Sequence, residues 1–503
     1  MYRLQESTIN DLTGGEISIL APGKMDTKFS LLMQNLYVGK DSKLKKLKGY
    51  KPLHDNKVVT SLSSGIEYIY KGRKIKYVGG RGRIFRLADN QLIEVYKSFN
   101  PDNSKNKIHF AQMGNKLVAC NGEDIVCYLE NDTFVGKEKW DLVDNFTPMK
   151  PFVFKNRVWY INAQNKMEAM HSALQDATKI EGYIDFSGVL PQVDELIDIK
   201  GYLDFICFIF KNHILVYSGN TPSGDYSDFA LFQVISMPSI LSAETNINVH
   251  NTLFLATETG IKMLDIVYPS NKISIKDFSA VNDISIMQMI KDNDDKEFYT
   301  CGYYSKDNLY FWVFGEVGVV FNGNFKSFSR IVFPSKQSQW KGCFTDVEGN
   351  LNVLAGGYLH EYGNDFKFNG EDCLPIWKTA WIPLHPYIAT CFPKYADIML
   401  GAAKVGGSLD IQAQVYNGEF VSADFSVGAY DVNYDTAVIA SKMDSERQYE
   451  WDEDFYMDSL TPVPLRVPLL NCGKFVSFTF SEKEPVNGLE FSSVSVFSDR
   501  RRK

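Results

Sequence analysis

The chain has 503 residues, of which 45% are hydrophobic and 23% are charged, values that are ordinary for a globular protein. No apolar run approaches the roughly 18 residues that a membrane-spanning helix needs, and residues 1–6 lack the apolar segment of a secretory signal. We therefore expect no membrane anchor and synthesis in a cytoplasm. The aromatic content of 14% favours an all-β protein, because aromatic side chains suit pleated, half-buried sheets.

The formal net charge of −8 is unevenly distributed along the chain. Residues 1–100 contain 18 Lys and Arg against 9 Asp and Glu, so the remainder carries −17. A basic first fifth of the chain could face nucleic acid or an acidic partner. The alternative is that its lysines only solvate an exposed segment; the densest group is Lys43, Lys45, Lys46, Lys48 and Lys51.

Residues 1–57 are predicted to form an N-terminal arm that packs on a larger domain. Turn-rich sequences at Gly14-Gly15 and Gly39-Lys40 flank an apolar segment at residues 29–38. The repeating pattern that follows is absent from this arm.

From residue 58 onward a short pattern recurs, in which an apolar residue precedes a corner with Asn or Gly and a run of apolar residues follows. Residues 154–160 and 210–216 are two clear copies. Asn and Gly tolerate the positive φ that a tight hairpin corner demands, so each copy predicts a hairpin. The anchors of the seven copies are Gly72, Asn115, Asn156, Asn212, Asn251, Asn308 and Asn350.

The spacing of these anchors predicts a β-propeller over residues 58–370. Successive anchors lie roughly 40 residues apart, or somewhat under 60 where an insertion intervenes, and that period is typical of four-stranded blades. Residues 260–264 and 357–362 are predicted to form the next strand of two blades. Any all-β chain offers hairpins, but the shared period favours a propeller, with six or seven blades.

Two polar segments within this region are predicted to be loops. Residues 219–225 contain Gly and Pro and suit a loop on one rim. Residues 291–296 are predicted to form a second exposed loop. Its carboxylates could bind calcium, but the Gly and the terminal Glu of the EF-hand spacing are missing.

After residue 370 the pattern changes, and residues 371–503 are predicted to form a β-sandwich. Turns at Asn417-Gly418 and Asn487-Gly488 separate irregularly alternating strands. The predicted strands are residues 395–400, 409–416, 474–480 and 489–497. Residues 444–458 mix acidic and aromatic side chains, which suits either a docking loop or a solvated face.

Motifs that would indicate catalysis or metal binding are missing. The seven histidines are dispersed without an HExxH pair, and no Gly-x-Ser-x-Gly elbow occurs. Residues 79–83 are glycine-rich but lack the Lys-Ser/Thr of a phosphate loop, so we predict a hairpin corner. The eight cysteines form no CxxC pair and are predicted to be free, mostly buried thiols. We nominate no catalytic, cofactor-binding or metal-binding residue and expect a protein that is not an enzyme.

Part of this pattern resembles the tail nozzle, or packaged-DNA stabilisation, proteins of short-tailed bacteriophages. The matching positions are Gly14-Gly15 and residues 35–38, 44–47, 49–53, 110–118, 159–177 and 208–219. The resemblance covers most of residues 10–270 and lies in the pattern of strands and turns, not in a signature motif.

The resemblance implies a structural virion protein, located in the virion tail and assembled in the host cytoplasm. Such a protein forms a ring of six copies below the portal and adaptor. The ring surrounds a channel through which double-stranded DNA passes without sequence-specific binding, and it retains the packaged genome until ejection. The resemblance also implies a propeller of six blades.

Two other hypotheses come from different classes of protein. A receptor- or glycan-binding tail propeller would expose clustered aromatic residues on one propeller face and would be a trimer or a monomer. A cellular propeller scaffold is the third hypothesis.

Overall fold

The structure of the chain is a computed structural model. It describes residues 4–17, 24–58, 61–98, 106–123, 126–130, 133–136, 146–190, 194–225, 227–267, 272–293, 295–385, 390–401, 407–417, 421–422, 424–432, 463–469, 472–485 and 488–500. Nearly all regular structure in these residues is β-strand. The first six strands, in chain order, are β1 (Gln5–Ile9), β2 (Gly15–Glu16), β3 (Phe29–Gln34), β4 (Leu36–Val38), β5 (Leu44–Lys46) and β6 (Gly49–Pro52).

The next 27 strands, together with β6, form a β-propeller of seven blades, each with four antiparallel strands. Blade 1 contains β7 (Ser64–Tyr70), β8 (Arg73–Gly80), β9 (Arg83–Ala88) and β10 (Gln91–Lys97). Blade 2 contains β11 (His109–Met113), β12 (Lys116–Cys120), β13 (Val126–Glu130) and β14 (Thr133–Gly136). Blade 3 contains β15 (Pro148–Phe154), β16 (Arg157–Asn162), β17 (Glu168–Ala173) and β18 (Asp176–Asp185). Blade 4 contains β19 (Leu196–Tyr202), β20 (Phe205–Phe210), β21 (His213–Ser218) and β22 (Ala230–Ser236).

The remaining three blades follow the same order. Blade 5 contains β23 (Ile247–Val249), β24 (Thr252–Thr257), β25 (Gly260–Val267) and β26 (Lys272–Asp277). Blade 6 contains β27 (Tyr299–Tyr304), β28 (Leu309–Phe314), β29 (Val317–Asn322) and β30 (Ser327–Val332). Blade 7 contains β31 (Gly342–Thr345), β32 (Leu351–Ala355) and β33 (Tyr358–Asp365), and β6 is its fourth strand. The first strands of neighbouring blades contact one another around the ring, and β31 contacts β7, so the circle is closed.

The seventh blade is completed by the N-terminal strand β6. It pairs antiparallel with β33, with Tyr50 opposite Tyr362. Tyr50 is fully buried, and its ring stacks on Phe368 at a centroid distance of 5.3 Å. The predicted fold, a propeller of six or seven blades, is confirmed, and the number is seven, one more than the resemblance implies.

Six of the seven predicted corners join the first and second strands of a blade. Asn156 and Asn251 adopt φ of 58° and 60° there, as the prediction requires. Asn212 is the exception, because it lies between the second and third strands of blade 4. The corner of blade 4 that corresponds to the others is at Leu203, which adopts φ of 53° although it is neither Asn nor Gly. The apolar run of β20 has a corner at each end, and the hairpin predicted at Asn212 is the one that leads into β21.

The C-terminal region forms a β-sandwich. Its strands and those preceding it after blade 7 are β34 (Lys367–Phe368), β35 (Glu371–Asp372), β36 (Ile376–Thr379), β37 (Ile382–Pro383), β38 (Cys391–Gly401), β39 (Gly407–Tyr416), β40 (Phe425–Val432), β41 (Val463–Pro468), β42 (Phe475–Glu484) and β43 (Glu490–Arg500). One sheet has the order β4-β5-β43-β38-β41, with β1 paired to β43. The other contains β3-β36-β42-β39-β40 and continues through β3 into blade 6. The four strands predicted from sequence correspond to β38, β39, β42 and β43.

The first 52 residues take part in three sheets and do more than pack on the propeller surface. Asn35 is buried between the two domains: its Nδ2 donates to Val332 O at 3.2 Å and Leu374 O at 3.0 Å, and its Oδ1 accepts from Val332 N at 2.8 Å. Lys46 forms an ion pair of 2.8 Å with Glu482 of the sandwich, and both side chains are at most 1% exposed. These buried contacts join the propeller and the sandwich into one packed unit.

A single α-helix is found among the described residues, α1 (Asp283–Asp292), between blades 5 and 6. Ile286 and Met289 face the core, so the helix covers blades 5 and 6 with one apolar side. The predicted loop at residues 291–296 therefore begins as the last turn of this helix, which was not predicted. No helix in the described part of the chain is long and apolar enough to cross a membrane.

Of the two other predicted loops, the structure describes only the one at residues 219–225. Within residues 219–225, the backbone N–H groups of Asn220 and Thr221 donate to Asp228 Oδ1 at 2.8 and 2.7 Å, so the loop between β21 and β22 is held by a specific contact. The acidic and aromatic segment at residues 444–458 lies outside the described residues.

Candidate functional site

A cavity of about 240 Å³ lies on the propeller axis, where the first strands of the blades begin. Every blade contributes to its wall, and blade 5 does so through the 3₁₀ turn Ala243–Thr245 that precedes β23. The wall is strongly polar, with His109, Lys150, Asp198, Lys200 and Glu244 among its residues. Apolar blade cores surround this ring of ionisable groups.

Local backbone irregularities bring these side chains to the axis. Lys150 adopts φ of 49° at a bulge in the pairing of β15 with β16. Asp198 lies next to a second bulge, where β19 pairs with β20. A bulge bends the strand and re-aims a side chain that regular alternation would send elsewhere. Glu244 is placed by the 3₁₀ turn, where its own backbone N–H donates to Ser242 Oγ at 3.2 Å.

Two ion pairs occupy the cavity wall. Lys150 Nζ lies 2.5 Å from Glu244 Oε1, and His109 Nε2 lies 3.5 Å from the same oxygen. Lys200 Nζ lies 3.3 Å from Asp198 Oδ2. The lysine and glutamate side chains of these pairs keep 13 to 25% of their surface accessible, because they border the cavity.

Lys107 adds a third cation beside the cavity. Its Nζ donates to Lys341 O at 2.8 Å and to Tyr299 O at 3.4 Å, next to the wall residues Gly342 and Thr300. Within the described part of the chain, no carboxylate lies within ion-pair distance of Lys107. Burial lowers the pKa of Lys107, which shows that its charge is poorly compensated.

The protonation states around the cavity follow from burial and from neighbouring charge. Burial, reinforced by Lys150, lowers the pKa of His109 to about 3, so its imidazole is neutral at pH 7. Burial alone would raise the pKa of Glu244, but the charges of Lys150 and Lys107 hold the pKa of that carboxyl far below its usual range. Burial raises the pKa of the Cys343 thiol in the wall to about 12. Three cations and two carboxylates therefore leave the group with a net charge of +1.

The basic N-terminal segment lies elsewhere, along a groove of about 400 Å³ at the junction of propeller and sandwich. Lys45 Nζ lies 3.1 Å from Asp41 and 3.0 Å from Glu490, and Lys48 Nζ lies 2.8 Å from Asp307. Most of the lysines noted in the sequence are thus paired within the chain, and Lys51 is exposed. Their charge is largely neutralised locally, which neither of the two interpretations from sequence anticipated.

The other residues noted in the sequence are structural. Arg81 and Gly82, with φ of 44° and 70°, form the corner between β8 and β9, so the hairpin predicted at residues 79–83 is confirmed. No disulfide bond joins any of the eight cysteines, all of which lie within the described residues, and five of them are buried. Among the described residues, no group of three or more His, Cys, Asp or Glu side chains could hold a metal ion.

The sequence contained one usable signal for the cavity that we did not predict. Charged residues occur near the start of the first strand in several blades: Lys107 lies two residues before β11, and Lys150 and Asp198 are the third residues of β15 and β19. Such residues interrupt otherwise apolar strands, and in a closed ring the same position of every blade faces the axis.

Comparisons with known proteins add little to this description. No protein-family model matches the chain, and no curated protein matches it. Among solved structures, the extracellular domain of a one-component system of B. thetaiotaomicron is similar with a TM-score of 0.44 and 11% identity, covering 76% of this chain and 45% of that chain. The WD40 β-propeller domain of Doa1 has a TM-score of 0.41 and 7% identity, covering 63% of this chain and 98% of that chain. A streptogramin B lyase structure has a TM-score of 0.37 and 10% identity, covering 61% of this chain and 95% of that chain.

Proposed function

We propose that the chain is a structural protein of the tail of a short-tailed bacteriophage. In this proposal six copies form the nozzle ring below the portal and adaptor, enclose the DNA channel and retain the packaged genome until ejection. The protein acts in the virion tail after assembly in the host cytoplasm, and it is not an enzyme. The pattern-level resemblance over residues 10–270 first suggests this function.

The observation that carries the proposal is the fusion of propeller and sandwich by the N-terminal segment. A ring that resists the pressure of packaged DNA needs subunits that do not bend between domains. In this chain β3 lies between blade 6 and the sandwich, β6 closes blade 7, and Lys46 and Asn35 are buried at the junction. Such a subunit favours a structural role over one that depends on domain motion.

The size of the axial cavity bears on the path of the DNA. A duplex whose major groove alone is about 12 Å wide does not fit a cavity of about 240 Å³ lined by ion pairs. In the proposed ring, DNA therefore passes between copies and not through a propeller. The overall net charge of −8 would limit adhesion of DNA to the channel wall.

The ring needs complementary surfaces on each copy, and the outermost strand of blade 4 offers one. Leu231, Phe232 and Val234 of β22 are 40 to 44% exposed, on a strand that forms the edge of its sheet. An apolar edge strand of this kind favours contact with another chain.

Two observations weigh against the alternatives. A glycan-binding propeller would cluster exposed aromatic rings on one face, but the large aromatic side chains exposed among the described residues are Tyr183 and Phe232, on the outer strands of blades 3 and 4. For catalysis, the cavity offers a neutral His109, a protonated Cys343 and a strongly acidic Glu244, none with a pKa suited to proton transfer near pH 7.

The mass of the purified protein, measured by light scattering over a concentration series and followed by negative-stain imaging, tests the proposal. A ring of six copies with a central opening is the expected result, either alone or after mixing with the adaptor. A stable trimer, or a chain that stays monomeric with the adaptor present, would favour receptor binding instead.

A further inference from the structure

The axial cavity has the features of a binding site that the proposed structural role does not require. We propose that it binds one small oxyanion, through a phosphate or carboxylate group, held by the ammonium groups of Lys150 and Lys200. This inference is independent of the proposed function, because it concerns the inside of a single propeller.

The first argument is the balance of charge. Among the described residues, Lys107, Lys150 and Lys200 face only two carboxylates, Asp198 and Glu244, so this partly buried group carries one uncompensated positive charge. The nearby pair of Lys341 and Glu297 is neutral by itself and does not change this balance. A buried charge without a counterion is costly, and binding of one anion would remove the imbalance.

The second argument is the supply of hydrogen-bond donors. An ammonium group can donate three hydrogen bonds, and in the described structure Lys150 and Lys200 each have one carboxylate partner. The two ammonium groups therefore keep donor capacity toward the cavity that one anion could use.

The third argument is size. The cavity volume of about 240 Å³ is several times the roughly 30 Å³ that a water molecule occupies in the liquid. It can therefore accept a phosphate or a short carboxylate together with some water, but it is too small for a nucleic acid or an extended peptide.

The test is equilibrium dialysis of the full chain against radiolabelled inorganic phosphate at constant ionic strength, with acetate as competitor. We expect saturable binding of one phosphate per chain. Competition by acetate at similar concentration would identify the site as one for carboxylates as well, whereas its failure would restrict the class to phosphates.

Lys107→Met is the informative variant, because it removes the uncompensated charge without leaving a carboxylate unpaired. We expect this variant to fold and to bind phosphate at least ~10-fold more weakly, since a positive charge beside the cavity attracts a bound anion strongly where water is largely excluded. Lys166→Met is the matched control, since Lys166 is 41% exposed and pairs with Glu195 on the surface. If Lys107→Met does not fold, Lys107→Gln takes its place with the same expectation of weaker binding, because its amide can still donate to Lys341 O and Tyr299 O.

The proposal is overturned if wild-type protein shows no saturable phosphate binding at any phosphate concentration used in the dialysis. It is equally overturned if Lys107→Met and Lys166→Met bind phosphate as tightly as each other.

Discussion

The buried pair of Lys46 and Glu482 gives the sharpest test of how the N-terminal segment holds the domains together. The two side chains are 1% and 0% exposed, and Nζ lies 2.8 Å from Oε2. Lys46→Met removes the cation and leaves Glu482 buried beside an apolar side chain of similar length. Loss of one partner of a buried pair costs about 3–5 kcal/mol, because the remaining charge is uncompensated.

A second substitution, at Glu482, should restore the lost stability. Replacing both partners, as in Lys46→Met with Glu482→Leu, removes the buried charges together, and such exchanges are often neutral or stabilising. We therefore expect the free energy of unfolding of the double variant to lie within about 1 kcal/mol of the wild-type value. Each single variant should be clearly less stable than the double variant. The three variants form a double-mutant cycle.

Differential scanning calorimetry measures the effect. Unfolding entropy of about 2.1 cal/mol/K per residue amounts to about 1 kcal/mol per kelvin for a chain of this length, so a loss of 3–5 kcal/mol lowers Tm by about 3–5 °C if the chain unfolds as one unit. A single variant with an unchanged Tm would refute the reasoning, because loss of the Lys46 charge would then not destabilise the buried carboxylate. A double variant as unstable as Lys46→Met would show that the cost arises from packing and not from charge.

Three further changes have defined outcomes. His109→Gln should flatten the decline of Tm between pH 6.5 and 4: the folded pKa of about 3 lies below the unfolded value, so wild-type stability is complete above pH 6.5 and is lost as the unfolded state gains a proton on acidification. Gly49→Ala would place a Cβ 2.0 Å from Lys367 O, so we expect β6 to shift, a cost of about 1–3 kcal/mol and faster limited proteolysis of the first 60 residues. Phe232→Glu on the exposed edge strand should lower the mass of the assembled species in light scattering with Tm unchanged, whereas Leu174→Glu, at an isolated exposed position, should leave assembly intact.

The strand and turn pattern was predictable because its causes are local. A two-residue corner with positive φ needs Asn or Gly at a defined place, and apolar runs on both sides mark the strands. Asn156 and Asn251 satisfied this rule. Leu203 did not, since a Leu at φ of 53° is held there by the packed blade and not by its own preference.

The partners of the N-terminal strands were not predictable, because a strand does not encode which distant strand it pairs with. Tyr50 of β6 pairs with Tyr362 of β33. Gln5 of β1 pairs with Ser498 of β43, at the opposite end of the chain. The sequence marked residues 1–57 as ordered and different from the repeat, but gave no sign that they complete a blade and two further sheets. The cavity escaped prediction for a related reason: its charged residues come from different blades and meet only when the ring closes.

These long-range pairings have a consequence for how the molecule folds. Blades 1 to 5 pair only strands that are close along the chain, whereas blade 7 is complete only after β6 pairs with β33, and β1 joins the sandwich by pairing with β43. Pairings that close such large loops are slow, because the chain loses entropy before the contacts form. We therefore expect the N-terminal segment to be the last part to pair, although it is the first to be synthesised. Once paired, its strands link the propeller to the sandwich, which is the rigid coupling that the proposed role in a ring under pressure would need.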